Sequence, residues 1–139
     1  MRLPLEGGCL CGRVRYRIDA EPHHADYCHC RMCQRASGAP VVAWLTMASA
    51  DFGWTAGEPA VYRSSPGAER LFCPNCGTPL AFRELAEPDS LDVTLASLDD
   101  PAAVRPGHHI WTSSRIAWFE VADELPRYPE QGPGSGPDQ

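Results

Sequence analysis

Seven cysteines carry most of the chemistry this sequence can offer, and they fall into three groups. Cys9-Leu10-Cys11 is the first, Cys28-His29-Cys30-Arg31-Met32-Cys33 the second, and Cys73-Pro74-Asn75-Cys76 the third. Residues i and i+3 across a tight turn bring two thiolates onto one metal, and Gly77 tolerates the unusual backbone that follows such a knuckle. Cys9 and Cys11 stand two apart, so an extended backbone points both side chains the same way. Gly12 follows them as Gly77 follows Cys76. Together the two pairs predict a closed, tetrahedral site of Cys9, Cys11, Cys73 and Cys76, the usual form of a structural zinc. Residues 12–72 lie between the pairs, so such a metal clips distant strands together.

Cys28, Cys30 and Cys33 then remain as three thiolates with no fourth cysteine. Three protein ligands and a free position are how catalytic zincs are arranged, because water or substrate must reach the metal. The count therefore predicts two zincs per chain. Cys33 falls in or beside the first turn of a short helix, where the backbone dipole favours a thiolate. Two other readings stay open. One is a closed second site, with a fourth ligand from His23, His24, His108 or His109; the two cysteines flanking His29 turn it from the metal. The other is a redox Cys30-x-x-Cys33 pair, which here lacks the βαβ context of a thioredoxin-like domain.

The elements that must position these groups are mostly strands. Arg13 to Ile18 alternates apolar and polar residues, and Pro40 to Thr46 is a short run of β-branched and aromatic residues. Val61 to Ser64 and Glu69 to Phe72 flank Ser65-Pro66-Gly67 as a hairpin, followed by strands at Pro79 to Arg83 and Leu91 to Leu95. Further strands near Ile110 and over Ile116 to Val121 complete a mainly antiparallel β protein. Two helical pieces are expected. One runs from Arg31 to Ser37, ended by Gly38; the other is a turn over Pro101 to Val104 after Asp99 or Asp100. A chain of 139 residues fits one domain, taken as 1–128, with 129–139 as a disordered tail rich in Pro and Gly.

A net charge of −6 and a pI near 5.2 count against a nucleic-acid or anionic-membrane partner. No signal-peptide core opens the chain, so a reducing, cytoplasmic setting is expected, where an odd number of cysteines points to metal and not disulfides. All twelve basic residues are arginines, whose planar forks suit carboxylate ligands.

The stretches GGCLCGRVRYRI, CHCRMCQRASGAP, FCPNCGTPLAF and HIWTSSRIAWFEVADELP resemble the glutathione-dependent formaldehyde-activating (GFA) family, which also includes the GFA-like domain of centromere protein V. The resemblance runs from about Glu6 to Pro129. It implies a β-tent, zinc-ribbon-like fold with one or two short helical turns. It also implies a structural zinc on Cys9, Cys11, Cys73 and Cys76, and a catalytic zinc on Cys28, Cys30 and Cys33. The implied activity is that of a carbon–sulfur lyase that joins the thiol of glutathione to formaldehyde, giving S-hydroxymethylglutathione. Three cysteinates already leave a zinc with a net charge of −1, which favours thiolate delivery over carbonyl activation. Arg31 and Arg35, four apart on one helix face, are candidates for holding the carboxylates of such a thiol, with Gln34 and Ser37 beside them. His109 falls where the family pattern has its histidine. It is expected to act as a general base, a proton shuttle or a hydrogen-bonded core residue, and with Trp111 it would line one face of an extended strand. The alternative is a non-catalytic, zinc-stabilised binding module with two structural metal sites.

Overall fold

Tyr16 and Ile18 alternate with Arg15 and Arg17 along β2 (Arg15–Ile18), and the chain buries the apolar pair. The same logic builds two antiparallel layers in the computed structural model, which describes residues 1–133. A three-stranded sheet pairs β1 (Leu5–Gly8) with β2, and β2 with β5 (Phe52–Ala56). A seven-stranded sheet runs in the order β10-β3-β4-β9-β8-β7-β6. Its strands are β3 (His24–Cys28), β4 (Val42–Ala48), β6 (Ala60–Ser65), β7 (Ala68–Phe72), β8 (Pro79–Glu84), β9 (Ser90–Thr94) and β10 (His108–Ile110). Among the strands of the described residues, β10 and β3 form the one parallel ladder. The main core packs Leu5, Tyr16 and Ile18 against Leu45, Met47 and Val93. No helix among the described residues is long and apolar enough to cross a membrane.

The expected strands at 13–18, 40–46, 61–64, 69–72, 79–83, 91–95 and near Ile110 all appear, with bounds shifted by up to two residues. β1, β3 and β5 were not anticipated. β3 reads HADYC and is buried at three of its five positions without alternation, so period-two reasoning passes over it. Ile116 to Val121 forms no strand. Arg115 Nη1 donates to the carbonyls of Ile116, Ala117 and Phe119, which closes the segment into a loop around one guanidinium. Trp118, on that loop, is 75% exposed.

Helix α1 spans Arg31–Ser37 and is capped by its own chemistry. Cys30 Sγ accepts from the Cys33 N–H at 3.2 Å, and Gly38, at φ 74°, donates its N–H to Gln34 O at 2.7 Å. A 3-10 turn at Pro101–Ala103 is capped by Asp100. Residues 129–133 of the expected tail pack back on the fold: Trp111 N–H donates to Glu130 O, and Ser113 N–H to Pro129 O. Residues 134–139 lie outside the described residues.

Candidate metal centres

Cys9 and Cys11 sit in the turn between β1 and β2, and Cys73 and Cys76 in the turn between β7 and β8. The two hairpin tips come from different sheets and meet. One sulfur from each of the four lies within 4.8 Å of the others. Cys9 and Cys11 are 3.6 Å apart and Cys11 and Cys73 3.8 Å, close to the ~3.8 Å edge of a tetrahedron with metal–sulfur bonds of about 2.3 Å. The backbone turns toward these sulfurs. Val14 N–H donates to Cys9 Sγ, and the Asn75 and Cys76 N–H groups donate to Cys73 Sγ, at 3.3 to 3.4 Å. Gly12 and Gly77 share φ 81°, the left-handed backbone that each turn requires. Hydrogen bonding from the Thr78 hydroxyl pulls the Cys76 thiol down to about 5, so this site holds a thiolate readily. The donor set fits a closed zinc centre.

Cys28 ends β3, Cys30 caps α1 and Cys33 lies in its first turn, so six residues bring three sulfurs within 4.8 Å of one another. All three are buried, among Trp44, Phe82 and Ile110. Hydrogen bonds from Cys28 and Cys33 pull Cys30 down to about 3, while its bond to Cys30 pushes the Cys28 thiol up. A soft metal bound by the three sulfurs would displace their remaining thiol protons. Three soft donors at this spacing fit zinc. Among the described residues, no fourth His, Cys, Asp or Glu atom joins the three. The histidines proposed for a closed site are elsewhere: His23 is exposed, and His24 and His108 gather around Asp26.

Both ring nitrogens of His109 are engaged by partners other than the sulfurs. Its Nε2 lies 2.9 Å from Asp123 Oδ2, and its Nδ1 lies 2.8 Å from His29 Nε2. The Asp123 carboxyl is held down at about 2, chiefly by His109, so it accepts from the His109 Nε2–H. With the His109 ring neutral, its Nδ1 accepts the proton of His29 Nε2. Burial lowers His29 to about 4, which keeps that ring neutral. The result is a hydrogen-bonded chain from His29, between Cys28 and Cys30, through His109 to Asp123. Trp111 does not continue the strand: its φ of 56° turns the chain into a 3-10 turn, and it packs against the cluster of the second cysteines.

A cavity of about 1130 Å³ is lined by members of both cysteine groups, Cys33 and Cys9, and by Thr78. Arg35 and Ser37 line it. Ser37 Oγ donates to Cys33 O at 2.7 Å. Gln34 is buried, and its Nε2 donates to His29 O and Ser114 O, which makes it a brace between α1 and the C-terminal segment. Arg31 is exposed, and its guanidinium lies 3.5 Å from Gln34 Oε1, outside the cavity lining. Sequence reasoning passed over Arg70. Its Nη2 lies 3.6 Å from Cys33 Sγ, its guanidinium rests 5.1 Å above the Phe82 ring, and it lines the cavity. The one signal was a charged residue inside the short strand that leads into CPNC.

Residues 4–114 match the family described as glutathione-dependent formaldehyde-activating enzyme. An uncharacterised lyase of Schizosaccharomyces pombe is 35% identical over 79 residues, 55% of this chain and 56% of that protein. The chain thus aligns with little more than half of that relative. A Halomonas elongata protein named "Putative glutathione-dependent formaldehyde-activating enzyme" is 27% identical over 127 residues, 84% of this chain and 80% of the other. Among solved structures, a Rhodobacter sphaeroides protein superposes with a TM-score of 0.57 at 25% identity, covering 70% of this chain and 93% of that one.

Proposed function

Because the chain belongs to the glutathione-dependent formaldehyde-activating family, we propose that it is a zinc-dependent carbon–sulfur lyase that forms or cleaves a thiol–aldehyde adduct. The observation that carries this reading is the incomplete thiol set: three buried sulfurs, no fourth ligand atom among the described residues, and a cavity that reaches Cys33. Cys9, Cys11, Cys73 and Cys76 would hold a structural zinc, and Cys28, Cys30 and Cys33 a catalytic one. When bound there, zinc supplies a positive centre that favours the ionised form of an incoming thiol.

The protein's own residues do the rest. Burial of the three cysteines by Trp44, Phe82 and Ile110 keeps water from their side of the site. Arg70 places a permanent cation beside Cys33, where negative charge gathers as a substrate thiol ionises. Arg35, at the cavity wall, offers a fork for a substrate carboxylate. In the joining direction the thiol sulfur bonds to the aldehyde carbon, the carbonyl π electrons move to oxygen, and the proton lost by the thiol ends on that oxygen. Cleavage reverses each move, so no oxidant or reductant is needed. His109 is not one of the residues lining the cavity, so its role is to hold His29 and the chain between Cys28 and Cys30.

The test is a panel of small thiols, glutathione among them, added to zinc-loaded protein with and without formaldehyde. Adduct formation is followed by NMR and zinc coordination by X-ray absorption. Expected is a rate above background for at least one thiol, and a change of ligands at one of two zincs. If no thiol alters either zinc and no rate exceeds background, the non-catalytic module is the better reading.

A further inference from the structure

A third group of ligating side chains lies apart from the cysteines. His24 and Asp26 are two apart on β3 and share one face, and the parallel ladder sets His108 of β10 directly beside Asp26. His24 Nδ1 is 3.9 Å and His108 Nε2 3.7 Å from the same carboxylate oxygen, Asp26 Oδ2. One ligand atom from each of the three lies within 4.8 Å of the others. These separations are too long for hydrogen bonds. They are a few tenths of an ångström or more wider than the ~3.4 Å edge of a tetrahedral site with metal–ligand bonds of about 2.1 Å.

The surroundings make this more than a chance meeting of polar groups. The Asp26 side chain is 4% exposed and that of His108 is 10% exposed. Asp26 Oδ1 and His108 Nε2 are buried and take part in no hydrogen bond among the described residues. A buried carboxylate beside an imidazole nitrogen needs a cation or a donor to offset the loss of water. The chain also covers the site. A Cβ built on Gly132 would lie 2.9 Å from His108 Nε2, so the segment crosses there where only glycine fits, and the Tyr128 ring stands edge-on to His108 at 5.6 Å. His24, with 22% of its side chain exposed, leaves one side open to solvent.

We infer that His24, Asp26 and His108 form a third metal site, for a divalent transition-metal ion held by two imidazole nitrogens and one carboxylate oxygen. This donor set is harder than the cysteine sets and suits zinc, cobalt(II) or iron(II) with water completing the shell. The site clips β10 to β3, whose ladder is only three residue pairs long. β10 also carries His109, which holds His29 between Cys28 and Cys30. Filling the site therefore stiffens the strand behind the second cysteine group.

The test loads the cysteines of the full chain with zinc, dialyses it against metal-free buffer and titrates cobalt(II). Bound metal is counted by native mass spectrometry, and the histidine resonances are followed by NMR. The wild-type chain is expected to bind one equivalent more than His24→Ala. The extra cobalt should add no thiolate charge-transfer absorption and should shift resonances of His24 and His108. Asp26→Asn is expected to weaken that equivalent at least tenfold, and His23→Ala to leave it unchanged. Equal metal counts in the wild-type chain and His24→Ala would overturn the site, as would an extra equivalent that also vanishes with His23→Ala. Should Asp26→Asn fail to fold, the His24→Ala count and the resonance shifts decide.

Discussion

The two cysteine groups use one residue type in opposite ways. The first joins two hairpin tips from different sheets, holds four sulfurs, and leaves Cys11 exposed and Cys76 half-buried. The second comes from six consecutive residues, holds three sulfurs, and is buried throughout. A complete shell needs no shelter, because the metal has no place left for another ligand. An incomplete shell has to be walled from water on every side except the one its substrate uses. The difference teaches that the group with four sulfurs is the more exposed and the group with three the more buried, and on the proposed reading the first would close the fold and the second would react.

The largest effect should come from opening the rim. Cys73→Ser removes one of the four sulfurs that would hold a structural zinc between the two hairpin tips, and such sites carry much of the folding free energy of small domains. The variant is expected to melt at least ~15 °C below the parent or to be recovered insoluble. Cys33→Ser should instead lower the melting temperature by only ~5 °C, drop the zinc count by one, and reduce adduct formation at least ~100-fold. Thermal unfolding and metal analysis of the pair decide the matter. Equal destabilisation by both substitutions would erase the distinction between clamp and reactive centre.

Arg70 gives the next smaller effect and sharpens the difference at one side chain. No arginine touches a sulfur of the first group among the described contacts, while Arg70 lies 3.6 Å from Cys33 Sγ. Arg70→Met keeps the packing on Phe82 and removes the charge. Expected is a fall in kcat/KM of about 10- to 50-fold with both zincs retained. Arg70→Lys should recover part of it, since charge returns without the planar fork. Loss of the second zinc in Arg70→Met would make this residue a support for the metal site and not for the reacting thiol.

The cysteine groups, and the helix between Arg31 and Ser37, were legible because spacing and capping are local. A pair two or three residues apart can face only a few ways, and Gly12, Gly38 and Gly77 mark where the backbone turns left-handed. Strands with one wet face were legible for the same reason. What escaped was set by partners distant in sequence. β3 alternates poorly because most of it is buried, and with it went the pairing that brings His108 to Asp26. His109 and Trp111 look alike in an extended pattern, but the left-handed Trp111 ends the strand after Ile110. Gln34 and Arg31 share α1 with Arg35, yet only Arg35 turns to the cavity, because Gln34 is drawn inward by His29 O and Ser114 O. Arg70 had no motif of its own and became visible only when β7 was laid beside α1.

The smallest expected effect tests whether the buried group imprints charge on its surroundings as the rim does not. Asp92 faces Thr46 across the β4–β9 ladder, and Thr46 Oγ1 donates to it. Burial, with the negative charge of Cys33 adding to it against that hydrogen bond, pushes the Asp92 carboxyl up to about 6. A raised carboxyl means that the folded chain binds this proton more tightly than the unfolded chain does. Stability therefore falls as pH rises from about 4 to about 6, and the full penalty stands above that window. Asp92→Asn keeps an acceptor for Thr46 and never ionises, so it should stabilise the fold at pH 7.5 and leave it unchanged at pH 4. In a Cys33→Ser background the gain should shrink, and in a Cys11→Ser background it should not. Melting curves of these variants across pH settle the point: an equal gain at both pH values would show that Asp92 carries no charge in the folded chain, and an equal coupling to both cysteines would show that the two groups act on the sheet alike.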